Sequence, residues 1–445
     1  MDNNDSLDRI NPDPRGLTPF SGKIDLRSFM RHHYKPDCIR HGIRSVNLTS
    51  NSRYLIITYE SSRGYIRVID LEKLELLPHS YSGHRDSVRM VSVFKNNKYF
   101  FTASWDGTFR KYELLTGRCL QILGMAGRSP SCFLDPDDRY LYTASYDIDL
   151  QDGSTNTGRR WDLQSNEVIA FYRHSGTRKD PYCIDIACDR EFTYSGSDDG
   201  QGICFETTSG KPLLTYFRCE ANIRKIAISG NLYAAAATDG IVRVFNKITG
   251  EPVRQLFHSR CEVMDVRIAR DEGKLWSASM DGTIRCFDLI SGNTLYHKRI
   301  HKHWIWSICF CRSETVLVSG SSDGTIVFLN TLDGSILARL HCFPLENEFL
   351  FECPADPAFP NGLFYTTNRN FIEVTDLNRE TGKVEILDLR DPLRTSYIDR
   401  LNLKNVVIIR MTNQSQYTAI TNKYLSDSKK LVSSESHRIL RGLKS

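Results

Sequence analysis

One segment recurs along this chain at a nearly constant interval, and this repeat limits the possible folds more than any other feature. It reads FFTASWDGTFRKYELLTG at 100–117, LWSASMDGTIRCFDLISG at 275–292 and LVSGSSDGTIVFLNTLDG at 317–334. The turn aspartates of four successive copies, which are 40, 42 and 42 residues apart, are Asp199, Asp239, Asp281 and Asp323. A period of about 40–45 residues is typical of four-stranded sheets arranged as blades around one axis.

The residue types within each copy support this interpretation. The Asp-Gly step allows a tight turn between two strands, because glycine tolerates positive φ. Alternation of apolar and polar residues follows, as in Thr283-Ile284-Arg285-Cys286-Phe287, and a second turn ends in Gly292. A single sheet of this kind leaves two apolar faces exposed, so the copies are expected to stack and bury them.

Several copies carry a histidine, an aspartate and an aromatic–acidic pair at fixed intervals. The second copy has Gly83-His84, Asp106 and Tyr112-Glu113, and the third has Trp161-Asp162. In this pattern the chain resembles a divergent member of the WD40-repeat family, with its Trp-Asp pair intact in one repeat only. The resemblance implies structural roles for the following residues: His84, Asp106, Tyr112, Trp161, Asp162, Asp199, Asp239, Asp281, His301 and Asp323.

Counting weaker copies at 55–75 and 363–382, and an interrupted third copy, gives eight. We therefore predict an all-β, WD40-like β-propeller of seven or eight four-stranded blades, and the residues available to the outer copies favour eight. The expected organisation is an N-terminal arm over 1–37, the propeller over 38–390 and a basic extension over 391–445.

Composition indicates the cellular compartment in which the chain is expected to occur and the classes of partner that it could bind. Hydrophobic residues make up 40% and charged residues 25%, as in soluble globular proteins. The thirteen cysteines include no CxxC pair, which favours free thiols in the cytoplasm or another reducing intracellular compartment. No apolar run reaches the roughly 18 residues of a membrane helix, and no secretory signal is recognised. The positive net charge is concentrated in 391–445.

The loops at one rim of the expected propeller provide the candidate binding residues. The residue before each turn aspartate is expected to project there, and exposed aromatic side chains often anchor partners. Two tryptophans that open the seventh copy are further candidates, although packing between blades would also account for them. The predicted partner-binding residues are Trp105, Tyr146, Asp198, Met280, Trp304 and Trp306.

No nucleotide-binding, serine-hydrolase or zinc-protease motif occurs, and an aspartate repeated in every copy is better explained by fold than by catalysis. We predict a non-catalytic protein-interaction scaffold or recognition subunit of a multiprotein complex, with no metal or cofactor. A nucleic-acid-associated subunit acting through the tail at 391–445 is the alternative, and a propeller enzyme is the least favoured. An insertion over 147–160 is predicted to be a partner contact or a flexible loop.

Overall fold

In the computed structural model, the described residues are 42–124, 127–146, 157–174, 183–343 and 348–354, with short strands at 23–24, 363–366, 374–377 and 384–387. All regular elements in these ranges are β-strands. The strands up to the end of the third blade are β1 (Lys23–Ile24), β2 (Ile43–Leu48), β3 (Tyr54–Tyr59), β4 (Ile66–Asp70), β5 (Glu75–Leu76), β6 (Val88–Val93), β7 (Tyr99–Ser104), β8 (Thr108–Glu113), β9 (Cys119–Gly124), β10 (Arg128–Leu134), β11 (Tyr140–Tyr146), β12 (Thr157–Asp162) and β13 (Glu167–Arg173).

The strands of the fourth to sixth blades are β14 (Cys183–Cys188), β15 (Phe192–Ser197), β16 (Gln201–Glu206), β17 (Pro212–Arg218), β18 (Ile223–Ser229), β19 (Leu232–Ala237), β20 (Ile241–Asn246), β21 (Pro252–Phe257), β22 (Val263–Ile268), β23 (Lys274–Ser279), β24 (Thr283–Asp288) and β25 (Thr294–Arg299). The remaining strands are β26 (Ile305–Phe310), β27 (Val316–Ser321), β28 (Thr325–Asn330), β29 (Ile336–Phe343), β30 (Glu348–Cys353), β31 (Leu363–Thr366), β32 (Val374–Leu377) and β33 (Val384–Leu387).

Seven blades are present in the described part of the chain: six are antiparallel meanders of four consecutive strands, and the seventh begins with such a meander, β26 to β29, and continues into β30 and β31. Of the two blade counts that the sequence left open, seven is therefore observed, and the preference for eight was wrong. The first copy forms a whole blade, whereas the last does not. Within it, β31 joins β30 at the edge of the seventh sheet, and β32 pairs with β1 and β33 in a separate three-stranded sheet.

The blades form a closed ring because each innermost strand contacts the innermost strand of the next blade. The first blade's β2 contacts both β26 and β27 of the seventh. The core consists of apolar layers between adjacent blades, and at this closing seam Ile43 and Val46 pack in one cluster with Val318 and Phe328. Stacking thus buries the two apolar faces that the repeat would otherwise expose.

Two histidines hold the outer loops of their blades to the sheet through buried hydrogen bonds. His84 pairs through Nδ1 with Asp106, 2.8 Å away, and through Nε2 with Thr102 Oγ1 at 2.7 Å. Burial lowers the pKa of His84 despite this carboxylate. Although burial alone would raise the pKa of Asp106, hydrogen bonds from His84 and Thr108 hold it below its usual range.

The seventh blade contains the same arrangement, with His301 Nδ1 3.2 Å from Asp323 and Nε2 2.9 Å from Ser319 Oγ. Two aromatic positions also make hydrogen bonds across their sheets: Tyr112 donates to the Ser82 carbonyl at 3.0 Å, and Trp161 Nε1 donates to Thr143 Oγ1 at 3.0 Å. The other aspartates to which the resemblance assigns structural roles accept local turn hydrogen bonds, namely Asp162, Asp199, Asp239 and Asp281.

Candidate functional site at the channel mouth

The innermost strand of every blade contains a β-bulge close to its first residue. In β2, for example, the pairing register shifts between Ile43 and Ser45, so that Arg44 has no partner opposite it. A bulge redirects the extra side chain and bends the strand locally. The bulge residues that line one central cavity are Arg44, Arg89, Pro130, Ile184, Arg224, Met264 and Trp306.

A second set of side chains comes from the end of the second strand in the second, third and sixth blades. The amide of Trp105 donates to the Ser87 carbonyl at 3.0 Å, and the amide of Met280 donates to the Glu262 carbonyl at 3.0 Å. These bonds hold Trp105 and Met280 beside the bulge of the inner strand, and Tyr146 pairs with Arg128 at the start of its own inner strand. All three side chains line the same cavity of about 270 Å³. We call the bulge residues together with these three the channel mouth.

Four of the six predicted binding residues therefore converge: Trp105, Tyr146, Met280 and Trp306 all lie in the channel mouth. Trp304 does not line the cavity; it is 43% exposed and packs edge-to-face on Trp306, with ring centroids 5.4 Å apart. Asp198 is half-buried and also lies outside the cavity lining. A binding role for all six stays a prediction.

The aromatic faces of the channel mouth are covered by arginines of the same chain. The Cζ atom of Arg44 lies 3.9 Å from the ring centroid of Trp306, and that of Arg89 lies 3.9 Å from the centroid of Trp105. The exposed Arg128 also approaches Trp105, at 4.8 Å. Such cation–π pairs are strongest where water is excluded.

Burial and crowding disfavour the charges of the two inner arginines. The pKa of Arg44 lies well below its ordinary value, first because of burial and then because of repulsion from Arg89, while Glu60 partly opposes both. Burial likewise lowers the pKa of Arg89 to about 10. Glu60 lies 3.8 Å from Arg89, whereas Arg224 is matched by Glu262 at 2.9 Å. Two inner cations therefore share one carboxylate.

Hydrogen bonding among these groups is incomplete. Within the described residues, the buried Nε atoms of Arg44 and Arg89 and the indole Nε1 of Trp105 have no hydrogen-bond acceptor. Oε2 of Glu60 is buried without a donor. Buried polar groups in proteins are nearly always paired, so a cluster of this kind marks a place where a ligand or water completes the bonding.

Polar contacts between blades also line this cavity, through Ser131, Asp185 and Lys225. Asp185 accepts hydrogen bonds from Ser131 of the third blade at 2.5 Å, and from Lys225 Nζ at 3.0 Å and the Ile226 amide at 2.9 Å in the fifth. Lys225 Nζ also lies 3.8 Å from the sulfur of Met90, in the second blade. Because these side chains contact one another across blades, their contacts support a structural role.

The arginines of the channel mouth were not predicted from the sequence, because they do not lie in a run of charged residues. Arg44 and Arg89 are 45 residues apart, and Arg224 follows 135 residues after Arg89. These intervals are about one and three repeat periods, so aligning the copies by the start of the inner strand would have revealed a recurring cation.

Other predictions concern residues that the structure does not describe. Most of the insertion, at 147–156, the whole tail, 391–445, and most of the arm, 1–22 and 25–37, lie outside the described residues. Within the described ranges, no group of three or more His, Cys, Asp or Glu side chains is arranged to hold a metal ion. No helix in those ranges has the length and apolar character needed to cross a membrane.

Comparison with known proteins agrees with the repeat. A family model described as "WD domain, G-beta repeat" matches residues 76–113 and 292–329. The chain is 26% identical over 165 residues to pre-mRNA-processing factor 19 homolog 2 of Arabidopsis thaliana, covering 36% of this chain and 29% of that protein. It is 22% identical over 224 residues to the serine-threonine kinase receptor-associated proteins of Bos taurus and Homo sapiens, covering 48% of this chain. The aligned region spans 57% of those two relatives.

Proposed function

We propose that this chain, a seven-bladed β-propeller that resembles WD40-repeat proteins, is a non-catalytic scaffold or recognition subunit that binds a protein partner through the channel mouth. One observation carries the proposal: all seven blades direct a bulged side chain into the same cavity. A surface assembled from every blade is rigid, which lowers the entropic cost of binding.

The composition of the mouth also supports binding by another protein. Tryptophan, tyrosine, arginine and methionine, which are enriched where proteins meet, dominate it. Asp185 and Asp265, two carboxylates that line the cavity, accept backbone hydrogen bonds from Ile226 and Ile308 of neighbouring blades. Their commitment to these bonds favours a structural role over acid–base catalysis.

The name of one relative supports the same class of activity. One relative is called a receptor-associated protein, a name that refers to association and not to a reaction. Because the chain matches only 57% of that protein, its receptor is not carried over to this chain. What supports the proposal is the class of activity that the name describes.

The experiment is affinity capture of the tagged full chain from its native cells, with a photo-crosslinking amino acid placed at Met280 in the mouth. A stoichiometric partner should crosslink at Met280 and should be lost when Trp105 is replaced by alanine. The matched control is Phe257→Ala, because Phe257 is an aromatic side chain that is 54% exposed on an outer strand. The proposal would be contradicted if the partner crosslinked equally to the same amino acid placed at position 257. It would also be contradicted if the Trp105→Ala chain captured the partner as well as the unmodified chain does.

A further inference from the structure

The aromatic rings of the channel mouth are already occupied, which restricts the charge of any ligand. Both Trp105 and Trp306 have a guanidinium 3.9 Å from the ring centroid. A cationic ligand would have to displace Arg89 or Arg44 from these rings and would meet their positive charges. The mouth is therefore unsuited to a cation and presents guanidinium edges to whatever enters.

Around the channel mouth, buried hydrogen-bond donors that lack a partner outnumber buried acceptors that lack one. Three buried N–H groups, on Arg44, Arg89 and Trp105, lack acceptors in the described part of the chain, against one buried oxygen, on Glu60, that lacks a donor. Leaving a buried donor unpaired costs about 1–3 kcal/mol, and more when it is charged. An entering group that accepts hydrogen bonds would remove this cost.

The balance of cations and carboxylates around the cavity indicates what charge that entering group should carry. Arg224 and Glu262 form a matched pair at 2.9 Å, as do Lys225 and Asp185 at 3.0 Å. In the remaining inner pair, Arg44 and Arg89, Glu60 is the one described carboxylate in ion-pair contact, while Asp86 acts on Arg89 from farther away. Counted by direct contacts, the excess at this pair is a single positive charge, which a carboxylate neutralises. A dianionic phosphate would replace it with a buried negative charge, which is also unfavourable.

We infer that the channel mouth binds a carboxylate side chain, glutamate or aspartate, of an acidic peptide, seated between Arg44 and Arg89. This inference rests on the proposed function and specifies the chemistry of the partner. Arginine suits the role because its planar fork can donate two parallel hydrogen bonds to a carboxylate. The tryptophan rings beneath hold both guanidinium groups in place before binding.

The test uses the full chain with its five tryptophans replaced by 5-fluorotryptophan, read by fluorine-19 NMR. Trp105→Phe and Trp306→Phe assign the two resonances of the mouth. The probes are short Gly-Ser peptides that differ only at one central residue, which is glutamate, glutamine, phosphoserine or trimethyl-lysine. The glutamate peptide should shift both resonances saturably, and the glutamine peptide at equal concentration should not.

The variants Arg44→Gln and Arg89→Gln should each weaken binding of the glutamate peptide about tenfold or more, the loss expected for a charged hydrogen bond. Arg118→Gln is the matched control, since its side chain is 70% exposed outside the mouth. Arg44→Lys tests geometry separately from charge and should bind more weakly than the unmodified chain. An unchanged set of the other fluorine resonances verifies that each variant is folded.

Three results would overturn the inference: equal shifts from glutamate and glutamine peptides, unchanged affinity in Arg44→Gln, or tighter binding of the phosphoserine or trimethyl-lysine peptide. These results are separable from the proposed function. If a captured partner depends on Trp105 while the glutamate peptide does not bind, the inference fails and the scaffold proposal stands. If the peptide binds but no partner crosslinks at Met280, the scaffold proposal fails instead.

Discussion

The guanidinium carbon of Arg44 lies 3.9 Å from the ring centroid of Trp306, and both residues occupy bulges in strands that meet where the ring closes. The first and last blades are thus joined at their inner edge by a cation–π contact as well as by apolar packing. The contact places a charge in the cavity without a described carboxylate of its own. The charge of Arg44 is therefore expected to serve ligand binding while it lowers the stability of the contact between the first and seventh blades.

Replacing Arg44 with methionine should stabilise the protein. Methionine can pack on Trp306 as the arginine does, while the cost of burying an unmatched charge disappears. We expect the free energy of unfolding to rise by about 1 kcal/mol, in the range common for such substitutions at functional sites. Urea unfolding at neutral pH measures it. A clear fall in stability would show that Arg44 is compensated in a way that the contacts above do not include.

Two buried histidines should make the propeller sensitive to mild acid. Burial lowers the pKa of His174 to about 4 and that of His258 to about 3. Below pH 6.5 the unfolded chain binds protons at these positions while the folded chain does not, so stability is lost as the pH falls toward the folded pKa. Each histidine should cost about 2 kcal/mol between pH 6.5 and 5.

The measurement is the urea midpoint at pH 7 and at pH 5, in the unmodified chain and in His258→Gln. The variant should lose stability at pH 7, because His258 pairs with Ser277 and Thr283, but should show a smaller difference between the two pH values. His79→Gln serves as the control, since His79 is exposed. An unchanged pH difference in His258→Gln would exclude this histidine as a source.

The repeat predicted most of the fold, because the turns between strands require particular residues. Gly107, Gly282 and Gly324 all have φ near +80°, as the Asp-Gly steps implied. The blade count was less certain, since the strands at 363–366 and 374–377 resemble a blade in sequence but pair with two different sheets. Pairing partners are chosen by tertiary contacts, which a repeat pattern does not encode.

The site was half predicted. Trp105 and Tyr146 were found because they precede a recognisable turn, whereas Arg44 and Arg89 occupy bulges, which no sequence motif marks. The bulge residues differ in type from blade to blade, so they look unrelated until the strands are superposed. An alignment of the copies by the start of the inner strand would show a recurring arginine in three blades, but not that this position is a bulge that faces the cavity.

Gly320 should tolerate no larger side chain, because it faces the closing seam. A Cβ there would lie 2.6 Å from Ile43 Cγ2 and 2.8 Å from Val46 Cγ1. Gly320→Val should therefore force the first and seventh blades apart and cost about 1–3 kcal/mol, the usual penalty for overpacking a core. The control is Gly124→Val, where a Cβ meets nothing within 4 Å among the described atoms. Equal thermal midpoints for the two variants would contradict the expected strain.

Asp185 should be a main ionic link among the middle blades, because it bonds to Ser131 on one side and to Lys225 and the Ile226 amide on the other. Asp185→Asn leaves the Lys225 charge unpaired in a half-buried position and should cost about 3 kcal/mol. Adding Lys225→Met to that variant should recover part of the loss, since no charge is then stranded. Asp137→Asn is the matched control: its ion pair with Arg190 is exposed and 3.9 Å long, so its effect should stay below about 0.5 kcal/mol. Urea unfolding of the unmodified chain, Asp185→Asn, Lys225→Met and the double variant completes a double-mutant cycle, and strictly additive losses would rule out coupling between Asp185 and Lys225.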